Sequence, residues 1–490
     1  MREPCRHVYQ PAASSDRHPC ISCYAAGTVA QGKRLPLRKS VICADMKEEN
    51  RMKHVLPLAL VTGAISLSAQ AENRIDQIRP DAPELAAYGD YTVGVRELEL
   101  VHKDQIDIVN VTDDMTSLEE MPRYDRPLPI QVWYPAAVDA EGSQVVEAYM
   151  RDGETLINIH GQGIVDAEPL ESDETFPLVI VSHGYPGNRF LMSPIAENLA
   201  SKGYVVASID HTDSTYSTIK PIQSSVVNRS NDQLFVLDRV AAMAEEDGFL
   251  SGLVDGDNAA ILGYSMGGYG VVISAGGGLT DAAVATTEGF FSAPPGTLEK
   301  YRAGSEDYQN RFDPRLKTII AFAPAGSKVG FFDEGTLEGV RVPSLYIAGS
   351  RDDTVGYEDG VRETWEQSVN VDRALLTFEN ANHNVGAPMA PPEEAWGFDE
   401  ELGFDPAMHY LDFVWDNVRM NNISQHFITA WLGLHLKGDE SMSRYLDLVP
   451  SSNEGIAPSS GDGTAEEDTY WTGFPARSAQ GLRFETLSAE

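Results

Sequence analysis

Cysteine is scarce in this chain: there are 4 among 490 residues, and all of them precede position 44. Beyond that point the sequence excludes both a disulfide framework and a cysteine nucleophile. Cys20 and Cys23 have the C-x-x-C spacing of a metal site, with His7 and His18 nearby. Because no second ligand pair follows at a zinc-finger spacing, the sequence predicts no bound metal.

Basic residues are also few, with 37 Lys and Arg against 74 Asp and Glu. Residues 1–71 hold 5 of the acidic and 10 of the basic residues, so residues 72–490 carry 69 against 27, a net charge of about −42. A surface this acidic repels nucleic acid and anionic membranes. We therefore expect neither as a partner.

Long apolar runs are rare as well, and the run at 55–67 is shorter than the roughly 20 residues that a membrane span needs. It follows Met52, Lys53 and His54, and it ends near the small residues of Ala69-Gln70-Ala71. A basic end, a short apolar core and a small-x-small site are typical of a signal peptide, which we favour over a membrane anchor or a buried helix. The sequence thus predicts export to the periplasm or the medium and no membrane span in the mature chain.

The same pattern sets the expected domain boundaries. Residues 1–51 would be an upstream extension that is not part of the native protein, 52–71 the signal peptide and 72–90 a flexible leader. A single domain is expected over 91–450, with lid-like insertions at about 276–315 and 386–417, followed by a flexible tail at 451–490 whose end docks on the body. Loops as long as these two insertions are usually functional, and we favour a lid.

Strand and helix patterns alternate along most of the expected domain. Two alternating segments at 91–101 and 128–134 predict an antiparallel entry, and residues 136–176 form a polar excursion. The predicted strands that follow are 177–182, 204–209, 258–262, 316–322, 344–348 and 373–378, and the predicted helices are 192–202, 232–246, 359–369 and 421–436. This alternation predicts an α/β fold with a mostly parallel sheet flanked by helices.

A serine flanked by glycines follows the predicted strand 258–262, in the segment Gly263-Tyr264-Ser265-Met266-Gly267-Gly268. A serine held in a strained strand-to-helix turn needs neighbours without a Cβ two positions before and two after it. Gly263 and Gly267 meet that need. The pattern predicts Ser265 as a nucleophile, provided that a base and an acid lie elsewhere in the chain.

The required partners follow in the chain. Asp352 and Asp353 come after the strand 344–348, and His383 comes after the strand 373–378. We expect His383 to take the proton of Ser265 and an aspartate to orient the imidazole. Gly349 lies three residues before Asp352 and matches a strand-end turn, so we favour Asp352 and keep Asp353 as the alternative acid.

An anion-binding loop is expected after the strand 177–182, where the chain reads Ser182-His183-Gly184-Tyr185. The backbone N–H groups of Tyr185 and Met266 are the predicted oxyanion-hole donors. The alternative for this segment is a tight turn with a core histidine. His211, at the end of the strand 204–209, is a candidate for lining the pocket.

Taken together, these motifs resemble the α/β-hydrolase superfamily from about residue 91 to residue 436. Within it, the segments around Ser182, Ser265 and His383 are similar to the bacterial predicted dienelactone hydrolases, which in turn resemble platelet-activating-factor acetylhydrolases and polyester-cleaving cutinases. The resemblance implies an α/β-hydrolase fold and the Tyr185 and Met266 oxyanion donors. Two departures stand out: dienelactone hydrolases use a cysteine, and the acetylhydrolases carry their acid one strand earlier, where residues 321–326 have no carboxylate.

The sequence therefore predicts an exported serine hydrolase that cleaves small-molecule or polymeric carboxylic esters through an acyl-Ser265 intermediate, without a cofactor. Two alternatives remain open. An amidase or peptidase would use the same triad, and a secreted binding module would use the same scaffold without catalysis. The sequence indicates neither the acyl and alcohol specificity nor the oligomeric state.

Overall fold

Strands and helices alternate through most of the structure, a computed structural model that describes residues 72–386, 388–457 and 468–490. Over these residues the strands are β1 (Asn73–Arg74), β2 (Val93–Ile106), β3 (Arg123–Pro135), β4 (Val145–Tyr149), β5 (Leu156–His160), β6 (Ile164–Val165), β7 (Phe176–Ser182), β8 (Val205–Ile209), β9 (Val254–Tyr264), β10 (Leu316–Phe322), β11 (Ser344–Gly349), β12 (Arg373–Phe378) and β13 (Leu482–Leu487). The α-helices are α1 (Ser193–Ala200), α2 (Gln223–Met243), α3 (Met266–Ser274), α4 (Asp281–Ala285), α5 (Glu306–Asn310), α6 (Glu334–Leu337), α7 (Glu363–Gln367) and α8 (Asn417–His435).

One large sheet has the order β13-β12-β11-β10-β9-β7-β8-β3-β2-β6. Its centre, from β12 to β8, is parallel, whereas β3 is antiparallel to β8, β2 to β3 and β13 to β12. All residues of β7, β8, β11 and β12 are buried, as expected of parallel strands that are covered on both faces. The predicted α/β-hydrolase fold, with its mostly parallel sheet and antiparallel entry, is confirmed.

The chain reverses its direction of travel across the sheet at β7. From β7 it moves to β8 on one side and then returns to β9 on the other side. Such a switch point opens a crevice at the carboxyl ends of the two central strands. Residues that follow β7 and β9 are therefore brought face to face.

The helices pack on this sheet in two groups: α1 lies against α8, and α2 lies against α3. The structure starts α2 at Gln223, well before the predicted helix 232–246. The first half of α2 has few apolar residues because buried polar side chains, including Asn228 and Arg229, face the interior. The predicted helix 359–369 is a π-helix over Tyr357–Arg362 that continues into α7.

The N-terminal part of the described chain differs from the predicted flexible leader at 72–90. β1 pairs in parallel with β5, and β5 pairs with β4, so the polar excursion contributes a second, three-stranded sheet. Ile75 and Ala86 are buried in the body. The N-terminal segment is ordered by backbone hydrogen bonds and apolar contacts with residues that are distant in the sequence. The composition of the segment itself does not reveal such contacts.

The C-terminal segment, expected to be a flexible tail at 451–490 whose end docks on the body, is docked at its end and adds a strand to the large sheet. β13 pairs with β12 along its whole length, and Trp471 and Phe484 are buried. Residues 458–467 lie outside the described part, as do the predicted extension 1–51, the predicted signal peptide 52–71 and all four cysteines. Within the described ranges, none of the helices combines the length and apolar character needed to cross a bilayer.

Candidate active site

Ser265 lies at the sharp turn between β9 and α3, with φ of 56° and ψ of −115°. This is a strained conformation for a residue with a side chain. A Cβ on Gly263 would lie 2.5 Å from the backbone of Gly267, and a Cβ on Gly267 would lie 2.1 Å from the carbonyl oxygen of Ser182. Both flanking glycines are therefore required by close backbone contacts, and the turn is pressed against the end of β7.

His383 lies beside Ser265 in the loop after β12. Its Nε2 is 3.0 Å from Ser265 Oγ, and its Nδ1 is 2.8 Å from Asp352 Oδ2. Because a carboxylate oxygen only accepts, Nδ1 carries the proton, and the unprotonated Nε2 accepts the hydrogen bond of the serine hydroxyl. The three side chains thus form one continuous hydrogen-bond chain from Asp352 to Ser265.

The two neighbouring aspartates have different surroundings. Asp352 is buried, and its Oδ1 accepts from the backbone N–H groups of Thr354 and Val355, each at 3.0 Å. Burial alone would raise the pKa of Asp352, but the charge of His383 and these hydrogen bonds outweigh it and hold the pKa below its ordinary value. Asp353 is exposed to solvent. The structure therefore brings Asp352, and not Asp353, to the imidazole.

Close backbone contact joins the aspartate turn to the histidine loop. A Cβ on Gly349 would lie 2.4 Å from the carbonyl oxygens of Ala381 and Asn382. Asn382 Oδ1 accepts from the N–H groups of His383 at 2.7 Å and Asp353 at 3.2 Å. The glycine three residues before Asp352 thus has a structural reason, because it lets the two loops meet.

The expected insertion at 386–417 packs against the same histidine loop. Asn384, next to His383, donates through Nδ2 to the carbonyl oxygens of Met408 at 2.8 Å and Leu411 at 2.6 Å. The insertion exposes several large apolar side chains: Trp396, Phe398, Met408, Phe413 and Val414. It therefore anchors the loop that carries His383, and its role as a lid stays a prediction.

The expected insertion at 276–315 packs elsewhere. Gln223 Nε2 donates to the carbonyl oxygen of Phe290 at 3.2 Å, and Tyr301 Oη donates to that of Val227 at 2.7 Å. Both contacts attach the insertion to α2. A lid role for this segment also stays a prediction.

The peptide between Gly184 and Tyr185 has a fixed orientation next to Ser265. The carbonyl oxygen of Gly184 accepts from His183 Nδ1 at 2.7 Å and from Arg229 Nη2 at 3.4 Å, both inside the protein. In a trans peptide the carbonyl and the following N–H point in opposite directions. The N–H of Tyr185 is therefore turned away from the interior, on a loop where a Cβ added to Gly184 would lie 3.3 Å from Ser265 Cβ.

The same reasoning applies to Met266, the first residue of α3. The carbonyl oxygen of Ser265 accepts from the N–H groups of Tyr269 at 2.9 Å and Ala325 at 3.2 Å. The N–H of Met266 consequently points away from the helix, and a first-turn N–H has no acceptor within its own helix. Two backbone donors are thus available beside the serine.

His211 does not line the pocket as the sequence led us to expect. It is 1% exposed and lies behind the loop that carries Tyr185. In the described part of the chain, no group of three or more His, Cys, Asp or Glu side chains is placed to hold a metal ion.

Comparison with known proteins finds similarity over part of the chain. A family model for platelet-activating factor acetylhydrolase, isoform II, matches residues 89–248. The acetylhydrolase of Cavia porcellus is 26% identical over 163 residues, which are 32% of this chain and 36% of that protein. The acetylhydrolase of Canis lupus familiaris is 43% identical over 49 residues, which are 10% of this chain and 11% of that protein. The chain thus spans about a third or less of the length of these relatives.

A solved structure, a ferulic acid esterase from Streptomyces cinnamoneus, aligns with a TM-score of 0.48 at 18% identity, covering 82% of this chain and 99% of that one. The fold is identified by the strand order, the switch point at β7 and the strained serine turn after β9, together with the acetylhydrolase-like stretch at 89–248. On these grounds the chain has the α/β-hydrolase fold and is similar, over part of its length, to the platelet-activating factor acetylhydrolases.

Proposed function

We propose that the protein is a serine hydrolase that cleaves carboxylic esters through an acyl-Ser265 intermediate. The chief support is the hydrogen-bond chain from Ser265 Oγ through His383 to Asp352, with contacts of 3.0 and 2.8 Å. An unassisted serine hydroxyl is a weak nucleophile at neutral pH, and a hydrogen-bonded imidazole with an oriented tautomer corrects that weakness.

The acylation step follows from this arrangement. Ser265 Oγ attacks the ester carbonyl while its proton moves to His383 Nε2, and the Asp352 carboxylate stabilises the imidazolium that forms. The carbonyl oxygen becomes an oxyanion that accepts from the N–H groups of Tyr185 and Met266. His383 then gives its proton to the departing alkoxide, so that an alcohol leaves and the acyl group stays on Ser265.

Deacylation repeats these steps with water as the nucleophile. His383 removes a proton from water as the hydroxide attacks the acyl-serine, and the same two N–H donors bind the second oxyanion. The proton then returns to Ser265 Oγ, which releases the carboxylic acid. Atoms and protons balance over the cycle without a cofactor.

Ester hydrolysis is favoured over amide hydrolysis by the partial similarity to acetylhydrolases, whose name describes removal of an acetyl group. An amidase or peptidase using the same triad is the second candidate. Turnover of a p-nitrophenyl ester and of the matching p-nitroanilide distinguishes them, and we expect the ester to react far faster.

The decisive experiment measures hydrolysis of p-nitrophenyl acetate, butyrate, octanoate and dodecanoate by the wild-type chain and by Ser265→Ala. We expect kcat to fall by at least about 10⁴-fold in Ser265→Ala for every ester that the wild type cleaves. Ser251→Ala, a change at an exposed serine, is the matched control and should keep the wild-type rate. Wild-type turnover by Ser265→Ala would show that another group is the nucleophile.

We further propose that residues 52–71 direct export to the periplasm or the medium. The support is the basic start, the short apolar run and the small residues before Glu72. Expressed from Met52 in a bacterial host, the protein should leave the cytoplasm and begin at about Glu72 by N-terminal mass spectrometry. A cytoplasmic product that keeps residues 52–71 would contradict this proposal.

A further inference from the structure

A second Ser-His-Asp set lies behind the loop that carries Tyr185. His211 Nε2 is 2.8 Å from Ser182 Oγ, and His211 Nδ1 is 2.9 Å from Asp232 Oδ2. The connectivity repeats that of Ser265, His383 and Asp352. In contrast to those residues, the members of this second set are at most 1% exposed, so no substrate reaches them.

Hydrogen bonding further excludes Ser182 as a second nucleophile. Its Oγ accepts from Gln233 Nε2 at 2.9 Å and donates to His211, so the hydroxyl is engaged on both sides. Burying polar side chains costs desolvation free energy unless each of them makes hydrogen bonds. Each member of this set makes hydrogen bonds inside the protein. We therefore ask which groups the set keeps in position.

The protons of the set have one consistent arrangement. Asp232 is bound by Arg126 through two contacts, Nε to Oδ1 at 3.0 Å and Nη2 to Oδ2 at 2.9 Å, which keep it a carboxylate. His211 therefore carries its proton on Nδ1, and its Nε2 accepts from the Ser182 hydroxyl. The imidazole cannot rotate or change its tautomer without losing one of these bonds.

His211 is connected through His183 to the peptide of the first oxyanion donor, Tyr185. The backbone N–H of His211 donates to His183 Nε2 at 3.2 Å, so His183 carries its proton on Nδ1. That proton is donated to the carbonyl oxygen of Gly184 at 2.7 Å, and this bond turns the N–H of Tyr185 outward.

Gln233 connects Ser182 to the backbone next to the second donor, Met266. Its Nε2 donates both to Ser182 Oγ and to the carbonyl oxygen of Gly267, each at 2.9 Å, and its Oε1 accepts from Ser274. Gly267 follows Met266 in the serine turn. One buried network therefore contacts the backbone beside both N–H donors.

We propose that Ser182, His211 and Asp232 are positioning residues that hold the N–H groups of Tyr185 and Met266 in the geometry needed to bind the oxyanion. This inference rests on the proposed esterase function. The donors must lie about 3 Å from the developing charge, and removing one such donor lowers kcat by roughly 10²–10³-fold. A donor that is displaced and not removed loses part of that effect.

The test uses Ser182→Ala, which deletes one hydroxyl, and His211→Asn, which keeps a donor near Asp232 but has no acceptor that reaches the hydroxyl of Ser182. Active protein is counted by mass spectrometry of Ser265 after complete labelling with a fluorophosphonate. We expect kcat per labelled site to fall about tenfold in each variant, with KM nearly unchanged. Inhibition by an alkyl boronic acid, which forms a tetrahedral adduct on the serine, should weaken by the same factor.

His426→Gln is the matched control because His426 is a fully buried histidine on α8 that bonds the N–H of Leu85, away from this network. It should lower the melting temperature but keep the wild-type kcat per labelled site. If Ser182→Ala and His211→Asn behave like this control, the network is only structural and the inference is wrong. Absence of Ser265 labelling in the wild type would instead overturn the proposed function, and this inference with it.

Discussion

Asp352 and Asp353 show how far adjacent residues of the same type can differ. The side chain of Asp352 is sealed against His383 and two backbone N–H groups, whereas Asp353 is exposed. The spacing from Gly349 favoured Asp352, but it left Asp353 open as an alternative. Burial and hydrogen bonding make the choice, and these depend on where the histidine loop lies.

We predict that Asp352→Asn lowers kcat by about 10⁴-fold, because an amide in place of the carboxylate favours the wrong tautomer of His383. Asp353→Asn, its matched control, should stay within about twofold of wild type because the side chain is exposed. Initial rates with p-nitrophenyl butyrate measure both. A large loss in Asp353→Asn with little change in Asp352→Asn would reverse the assignment.

Much of the candidate site could be predicted from local signals. The glycines around Ser265 and the order of Ser265, Asp352 and His383 along the chain were readable because each residue follows a recognisable strand. The network of Ser182, His211 and Asp232 was not predicted, because nothing in the sequence connects the end of β7 with the loop after β8 and the middle of α2. His211 follows the carboxyl end of β8, yet it packs inward and is not part of the pocket.

Among the elements, the serine turn and the end of β7 are in close backbone contact. We predict that Gly267→Ala destabilises the protein by about 3 kcal/mol or more and abolishes esterase activity, because the new Cβ would lie 2.1 Å from Ser182 O. Gly248→Ala is the control, since its Cβ would meet nothing within 4 Å. Urea unfolding measures both, and equal stability of the two variants would contradict the contact.

The elements that sequence analysis found are those with a strong local signal. The strands β7 to β12 are nearly continuous apolar runs, and their presence in a mostly parallel sheet was predicted correctly. β13 and β5 were missed although residues 482–485 and 157–160 alternate between apolar and polar side chains, because both lie in segments that are polar on average. The start of α2 was missed because its inward side chains are polar.

For the whole molecule, buried neutral histidines link stability to pH. Burial lowers the pKa of His211 and His426 to about 3, from 6.5 in an unfolded chain. Between these values the unfolded state binds more protons than the folded state. Their contribution to stability is therefore complete above pH 6.5 and is lost as the pH falls below that value.

We predict that His426→Gln makes the free energy of unfolding less dependent on pH. Each buried histidine contributes about 1.4 kcal/mol per pH unit to the fall in the free energy of unfolding between the two pKa values. From pH 6 to pH 5 the free energy of unfolding should therefore fall by about 1.4 kcal/mol less in the variant than in the wild type. Urea unfolding of both proteins at pH 7.5, 6 and 5 measures the slope. The carboxylates that titrate in the wild type titrate in the variant too, so the difference isolates the histidine. Parallel curves for the two proteins would contradict the prediction.

The pairing of β13 with β12 has a consequence for biogenesis. The strand that leads to His383 hydrogen-bonds a partner encoded far downstream, in a register that runs from Arg373 with Leu487 to Phe378 with Leu482. A nascent chain on the ribosome therefore contains Ser265, Asp352 and His383 before β13, one of the two neighbours of β12, has been synthesised. The large sheet is thus completed only at the end of translation. A chain that stops before Leu482 should contain all three triad residues but lack β13.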